Sequence, residues 1–183
     1  MKTSYISEHC KIGKNVSIGH FCVIEDGVVI GDNTVIENYA MVLANSKIGA
    51  NTKLGTYTKV GENVVIGSHC SFTSYCEIRD ECNLGNNVSM GSRCTLSAHT
   101  IVEDDVIMKY GFVVTDTPNL NMNNEKVTGV LKKNSKFGAN VVIMPAVTIG
   151  ENVEIGACSQ VRHDVPDNEI WYGSPAKFYK KSN

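Results

Sequence analysis

Cysteine and histidine mark the two stretches of this sequence that hold chemical potential. Four cysteines, Cys70, Cys76, Cys82 and Cys94, stand close together in the middle of the chain. Such a density suits a metal site, a disulfide set or a plain packing role. Just beyond them His99 precedes Glu103, Asp104 and Asp105. Carboxylates in that position can polarise an imidazole or bind a cationic group. The five histidines, His9, His20, His69, His99 and His163, are widely spaced, so no two of them form a close pair of metal ligands.

The pattern around these residues says what must position them. Counting from Ile6 in steps of six gives Ile6, Ile12, Ile18, Ile24 and so on to Leu96, Val102, Met108 and Val114, nineteen positions and all apolar. Only 42% of the residues are apolar, so chance does not produce that run. Glycine often follows, as at Gly13, Gly49 and Gly67. The fourth residue after each large apolar one is small or β-branched, and six of the seven cysteines (Cys10, Cys22, Cys70, Cys76, Cys82, Cys94) fall in that slot. They are expected to be soft core residues beside bulky neighbours. A period of six fits neither a helix at 3.6 nor a flat strand at 2. It fits a short strand, a corner and a repeat. The register lapses over residues 115–136 and resumes one residue out of phase at Phe137, Ile143, Ile149, Ile155 and Val161.

Composition narrows the classes further. The 183 residues carry a formal charge of -2, which gives no electrostatic reason to expect nucleic acid or an anionic membrane as partner. No apolar run approaches the roughly 20 residues of a membrane helix. The opening "MKTSYISEHCKIG" lacks the apolar stretch of a signal peptide. A cytoplasmic protein is expected, its odd number of cysteines remaining thiols.

The pattern [Ile/Leu/Val]-Gly-x-x-small-x resembles the hexapeptide-repeat acyltransferases, from about Ile6 to the C-terminus. The resemblance implies an all-β fold, a left-handed parallel β-helix with three hexapeptides per coil. It would occupy residues 1–166, with a loop excursion at 115–136 that helps cover the acceptor, and leave 167–183 as a C-terminal tail. Cys76 and Cys94 would then stack on adjacent coils, about 4.8 Å apart and too far for good disulfide geometry. The family is typically trimeric, with ligands held between prisms. The stretch "FGANVVIMPAVTIGENVEIGACSQVRHDVPDNEIWYGSPAKFYKK" is similar to the C-terminal signature of acetyl-CoA-dependent members. That likeness implies a groove for the thioester arm walled by Gly138, Ala139, Gly156 and Ala157. Lys177, with Lys180 and Lys181, would meet phosphates. Trp171 stands where relatives more often carry a small aliphatic residue, and would cap the last coil or stack on an adenine.

Acyl transfer from a thioester needs a base for the acceptor and help for the oxyanion. Many relatives use a histidine. One coil beyond His99 is residue 117, in the base of the loop, so His99 is expected near Asp116 as base or acceptor-binding residue, with Asp116 contacting the acceptor. The stretch "VEDDVIMKYGFVVTDTPN" is most similar to N-acetyltransferases of nucleotide-linked amino sugars, which assigns Asp104 and Asn119 to the acceptor. The expected activity is therefore acetyl-CoA-dependent N-acetylation of an amino sugar carried on a nucleotide, without a metal. O-acetylation of a sugar or other small hydroxyl acceptor is the alternative. A zinc carbonic anhydrase on the same prism would need the close histidine pair. An ice-binding prism would need outward rows of Thr, where this chain has Glu, Asp, Lys, Asn and His.

Overall fold

The computed structural model describes residues 4–118 and 127–182. Two-residue strands, from Tyr5–Ile6 to Gln160–Val161, wind as a left-handed parallel β-helix, and a hairpin of Glu169–Gly173 and Ala176–Lys181 follows them. From Ile6 to Val114, each strand ends on the residue that the six-residue step selects. Every third strand joins the same sheet, giving three faces of nine, eight and ten strands. Partners are therefore three hexapeptides apart, as in Lys59 opposite Glu77 and Val60 opposite Ile78. Successive strand side chains point to opposite faces. In Lys53–Leu54 the lysine is therefore exposed while the leucine is fully buried. Phe72, Leu84, Met90, Leu96, Phe112 and Phe137 fill the axis. Ile6 and Ile12 remain exposed at one end of the described prism.

Three edges separate the faces, each a ladder of four-residue turns. The third residue of most turns has a positive φ, a conformation most L-residues avoid and Asn tolerates best. One edge uses it to stack Asn15, Asn33, Asn51, His69, Asn87, Asp105, Asn134, Asn152 and Asn168, and is called here the asparagine edge. Side-chain amides bridge its layers, as from Asn134 Nδ2 to Asn152 Oδ1 at 2.8 Å. The aromatic edge carries Phe21, Tyr39, Tyr57 and Tyr75, then Arg93, Gly111, Asn140 and Cys158. Its four rings stack with centroids 4.8 to 5.1 Å apart, each pair worth about 0.5–1.5 kcal/mol beyond its burial. The histidine edge carries Asn45, Asn63, Glu81 and His99.

The cysteine slot has a more specific task than soft packing. The slot residue closes its turn, and from Cys10 to Cys94 a Cys, Ser or Thr there donates to the carbonyl that opens the turn one coil on. Thr34 Oγ1 donates to Gly49 O at 2.9 Å, Ser46 Oγ to Gly61 O at 2.7 Å, and Cys76 Sγ to Gly91 O at 3.1 Å. Cys22, Cys82 and Cys94 repeat this contact at 3.0 to 3.1 Å. All seven cysteines are free thiols. Burial pushes the Cys82 thiol up to about 11. The Cys94 thiol and burial together push Cys76 up as well.

The excursion is narrower than residues 115–136. Val130–Leu131 already pairs with Ile101–Val102 on the second face, and Lys136–Phe137 continues on the third. Asn83 pairs with Ile101, but Ile101 pairs with Val130. The step to the next coil lengthens there by eleven, and the insertion falls between Val113–Val114 and Val130–Leu131. Residues 167–183 likewise form more than a tail. Glu169–Gly173 pairs in parallel with Glu154–Ile155 and in antiparallel with Ala176–Lys181, extending the third face. Trp171 packs, half-buried, on the core, and its Nε1 donates to Glu169 Oε2 at 2.7 Å. Lys181 Nζ holds the other oxygen of that carboxylate at 2.8 Å. Lys181, then Trp171, keep the Glu169 carboxyl below the usual carboxylate range.

Candidate functional site

The loop leaves and rejoins the prism at the histidine edge. His99 is the third residue of the turn 97–100, and Glu81 holds the same place one coil below. Both have φ near 60°, so their side chains leave the edge in register. His99 Nδ1 lies 3.3 Å from Glu81 Oε2, and the imidazole is half-exposed. With Nδ1 facing the carboxylate, Nε2 is the ring nitrogen turned away from it.

One coil above, the excursion replaces the turn. Asp116 O accepts from Val127 N at 3.0 Å, which draws the two ends of the excursion together. The Thr128 hydroxyl donates to the His99 carbonyl, so the returning strand is tied directly to the histidine turn. Ser97 Oγ, buried in that turn, donates to Val114 O at 2.8 Å. The Asp116 carboxylate is buried. Thr117 Oγ1 donates to one of its oxygens at 2.9 Å, and Arg79 Nη1 lies 3.4 Å from the other. Arg79 starts the turn 79–82, the same turn that presents Glu81.

The fold thus gathers His99, Glu81, Asp116 and Arg79 at one end of the loop. Glu81 and Arg79 did not stand out in the sequence. Glu81 stands one coil before His99, a signal that the forward step to residue 117 left unused. Asp104 is elsewhere. It sits on the asparagine edge, where its Oδ1 accepts from Asn86 N at 2.6 Å, and a Cβ added to Gly85 would meet that same oxygen. Asp32, Asp80 and Asp167 hold their turns in the same way. Its separation from His99 has a simple cause, since the strand Ile101–Val102 carries the chain from one edge to the next. Asn119 lies outside the described residues.

Gly138, Ala139, Gly156 and Ala157 do stack, on the aromatic edge. A Cβ on Gly138 would come within 2.5 Å of Ala157 N, and one on Gly156 within 2.8 Å of Tyr172 Cβ. Close coil packing alone therefore demands both glycines. Beside them on the third face is a hollow of about 330 Å³ lined by Lys109, Lys136, Phe137, Gly138 and Glu154. Lys177 is exposed on the hairpin. Within one chain this wall and the His99 cluster occupy different edges. No group of three or more His, Cys, Asp or Glu that could hold a metal ion occurs among the described residues. No helix there is long and apolar enough to cross a membrane.

Comparison with known proteins bears on both parts. A family model described as bacterial transferase hexapeptide (six repeats) matches residues 9–44, 45–80 and 129–163, more than half of the chain. The galactoside O-acetyltransferase of Lactococcus lactis subsp. lactis (strain IL1403) is 42% identical over 60 residues, which are 33% of this chain and 28% of that relative. The alignment thus spans less than a third of the curated relative's length. Among solved structures, the UDP-N-acetylglucosamine acyltransferase of Arabidopsis superposes with a TM-score of 0.71 at 19% identity, over 98% of this chain and 73% of that one. The UDP-N-acetylglucosamine O-acyltransferase of Moraxella catarrhalis RH4 gives 0.64 at 18%, over 99% and 74%. At those identities the likeness is one of fold.

Proposed function

This chain belongs to the bacterial transferase hexapeptide family, and from that premise we propose that it transfers an acyl group from a CoA thioester to a sugar acceptor, with His99 as general base. The observation that carries this reading is the Glu81–His99 pair at 3.3 Å beside the base of the loop. Glu81 holds Nδ1–H, and Nε2 takes the proton from the acceptor hydroxyl as its oxygen attacks the thioester carbonyl. The tetrahedral intermediate collapses, the C–S bond breaks, and the imidazolium returns the proton to the departing thiolate. A positioned base of this kind contributes about 10²–10⁴-fold. Arg79 and Thr117 hold Asp116 at the entrance to the loop, where its backbone fixes both strands of the excursion. Because the small-residue wall lies on another edge of the same chain, the thioester and the base meet across two copies, and the working assembly is a trimer.

A hydroxyl is far less acidic than an ammonium group, so an acceptor oxygen gains more from a base than an amine does. The His99–Glu81 pair therefore favours O-acylation. N-acetylation of a nucleotide-linked amino sugar is the second reading, favoured by the exposed Glu81 carboxylate, which suits a cationic amine at the loop. Thiol release from acetyl-CoA, measured with paired hydroxyl and amino forms of nucleotide-linked sugars, separates the two. Turnover that requires the hydroxyl and falls by about 10²-fold or more in His99→Ala is expected. Turnover only with the amine, unchanged in His99→Ala, assigns the second reading and removes His99 as base.

A further inference from the structure

The described prism is closed at one end and open at the other. At its C-terminal end the hairpin continues the third face and Trp171 packs on the core. At the other end Ile6 and Ile12 are 41% and 42% exposed, and Ile18 is half-buried. Every later residue of that six-residue step, from Ile24 to Val114, is 3% exposed or less. The strands Tyr5–Ile6, Lys11–Ile12 and Ser17–Ile18 are the outermost of the three sheets, and each pairs on one side only among the described residues. An open strand edge is a template for another strand, and a solenoid end needs a cap over its core. What covers this end must present three short strand edges around an apolar triangle, and a second copy of the same end does so. The hairpin blocks the far end to head-to-tail stacking, which leaves an isologous contact closed by a two-fold axis.

We propose that two copies of this chain join end to end through their first coils, about a two-fold axis that passes through the aromatic edge. Ile6, Ile12 and Ile18 of one copy then cover those of the other. The open strands pair in antiparallel, Lys11–Ile12 with its own mate and Tyr5–Ile6 with Ser17–Ile18. Charge selects the axis. A triangular end admits three two-fold axes, one through each edge. Glu8 is the second residue of the turn 7–10, in the column of the histidine edge, and Lys14 holds the same place in the turn 13–16 on the asparagine edge. Both are exposed, and neither is in an ion pair among the described residues. Only the axis through the aromatic edge lays the histidine edge of one copy on the asparagine edge of the other, so that Glu8 meets Lys14 twice. The other two axes set Glu8 on Glu8 or Lys14 on Lys14, and like charges in register are costly. The contact lies five coils from the turn of His99, so it is independent of the acyltransferase reading.

Sedimentation velocity of the full chain over a dilution series tests it. The expected particle holds an even number of copies: two, or six where each end belongs to a trimer. Ile12→Glu puts a charge into the apolar centre, and Lys14→Glu sets like charges against each other. Each is expected to weaken the association about tenfold or more and to halve the particle, with the far-UV spectrum of the prism unchanged. Exchanging the pair, Glu8→Lys together with Lys14→Glu, is expected to restore the wild-type mass. A wild-type particle with an odd number of copies, a mass that neither single variant changes, or an exchange that fails to restore it overturns the proposal. Co-sedimentation with phosphatidylcholine vesicles that Ile12→Glu abolishes also overturns it, and assigns the open end to a lipid surface.

Discussion

His99 acquires its orientation from a residue one full coil earlier. Turns stacked on one edge send their third side chains out in register, and the Glu81 carboxylate meets Nδ1 because three turns complete a coil. Removing the charge but not the shape, as in Glu81→Gln, is expected to lower kcat at least tenfold with little change in KM, a smaller loss than the roughly 10²-fold or more of His99→Ala. Steady-state kinetics on both variants and on the double variant check this. If the dyad acts as a unit, the double variant is no worse than His99→Ala. The same periodicity explains what the sequence hid. The single hexapeptide fixes a residue's place within its turn, whereas its edge depends on which of the three hexapeptides of a coil it belongs to. The row Glu103, Asp104, Asp105 looks adjacent to His99 in sequence, yet it belongs to the next edge. Arg79 is farther still from Asp116 in sequence, and reaches it because the insertion begins beside its own column.

At the scale of the repeat, the slot that collects cysteines is a hydrogen-bonding position whose chemistry is shared by Cys, Ser and Thr. The sequence shows that the slot is small. It does not show the donor role, because the acceptor is a backbone carbonyl of the next coil and leaves no mark on residue type. Cys82 donates to Ser97 O at 3.1 Å. Cys82→Ser is expected to fold normally, while Cys82→Ala leaves that carbonyl to Thr100 Oγ1, which donates to it at 2.6 Å, and costs no more than about 1 kcal/mol in chemical denaturation. Ser135 provides the opposite case. Its buried hydroxyl has no partner among the described residues, so Ser135→Ala is expected to be neutral or stabilising by up to about 1 kcal/mol. The hairpin carries a third test. Lys181 and Trp171 depress the Glu169 carboxyl, so its contribution is present above the ordinary carboxylate pKa of about 4.3 and is lost as pH falls through the depressed value. Trp171 is the chain's single tryptophan. Its emission should stay constant through neutral pH and shift to the red below about pH 4, and Glu169→Gln should show the shifted spectrum already at neutral pH.

For the whole molecule, stability is a sum of contacts between adjacent coils, and the excursion interrupts the count without interrupting the stack. The six-residue step made the prism legible from end to end. It placed the resumption at Phe137 when Leu131, one hexapeptide earlier, already fills the core. The hairpin stayed hidden because its two strands follow ordinary antiparallel pairing instead of the ruler. That architecture separates folding from function at the loop. Ile101 pairs with Val130 and Val113 with Val142 on either side of the insertion, and the backbone contact from Val127 N to Asp116 O closes its base. Replacing residues 119–126 by two glycines therefore spares every strand pairing and leaves the Glu81–His99 pair in place. The expected outcome is a cooperative melt within a few degrees of the wild type, alongside a loss of acyl transfer to the sugar. Thiol release to bulk water, the reaction that needs no acceptor, should persist or rise. A variant that still acylates its acceptor at the wild-type rate would show that the excursion takes no part in the site, and would move acceptor recognition to the surfaces of the prism itself.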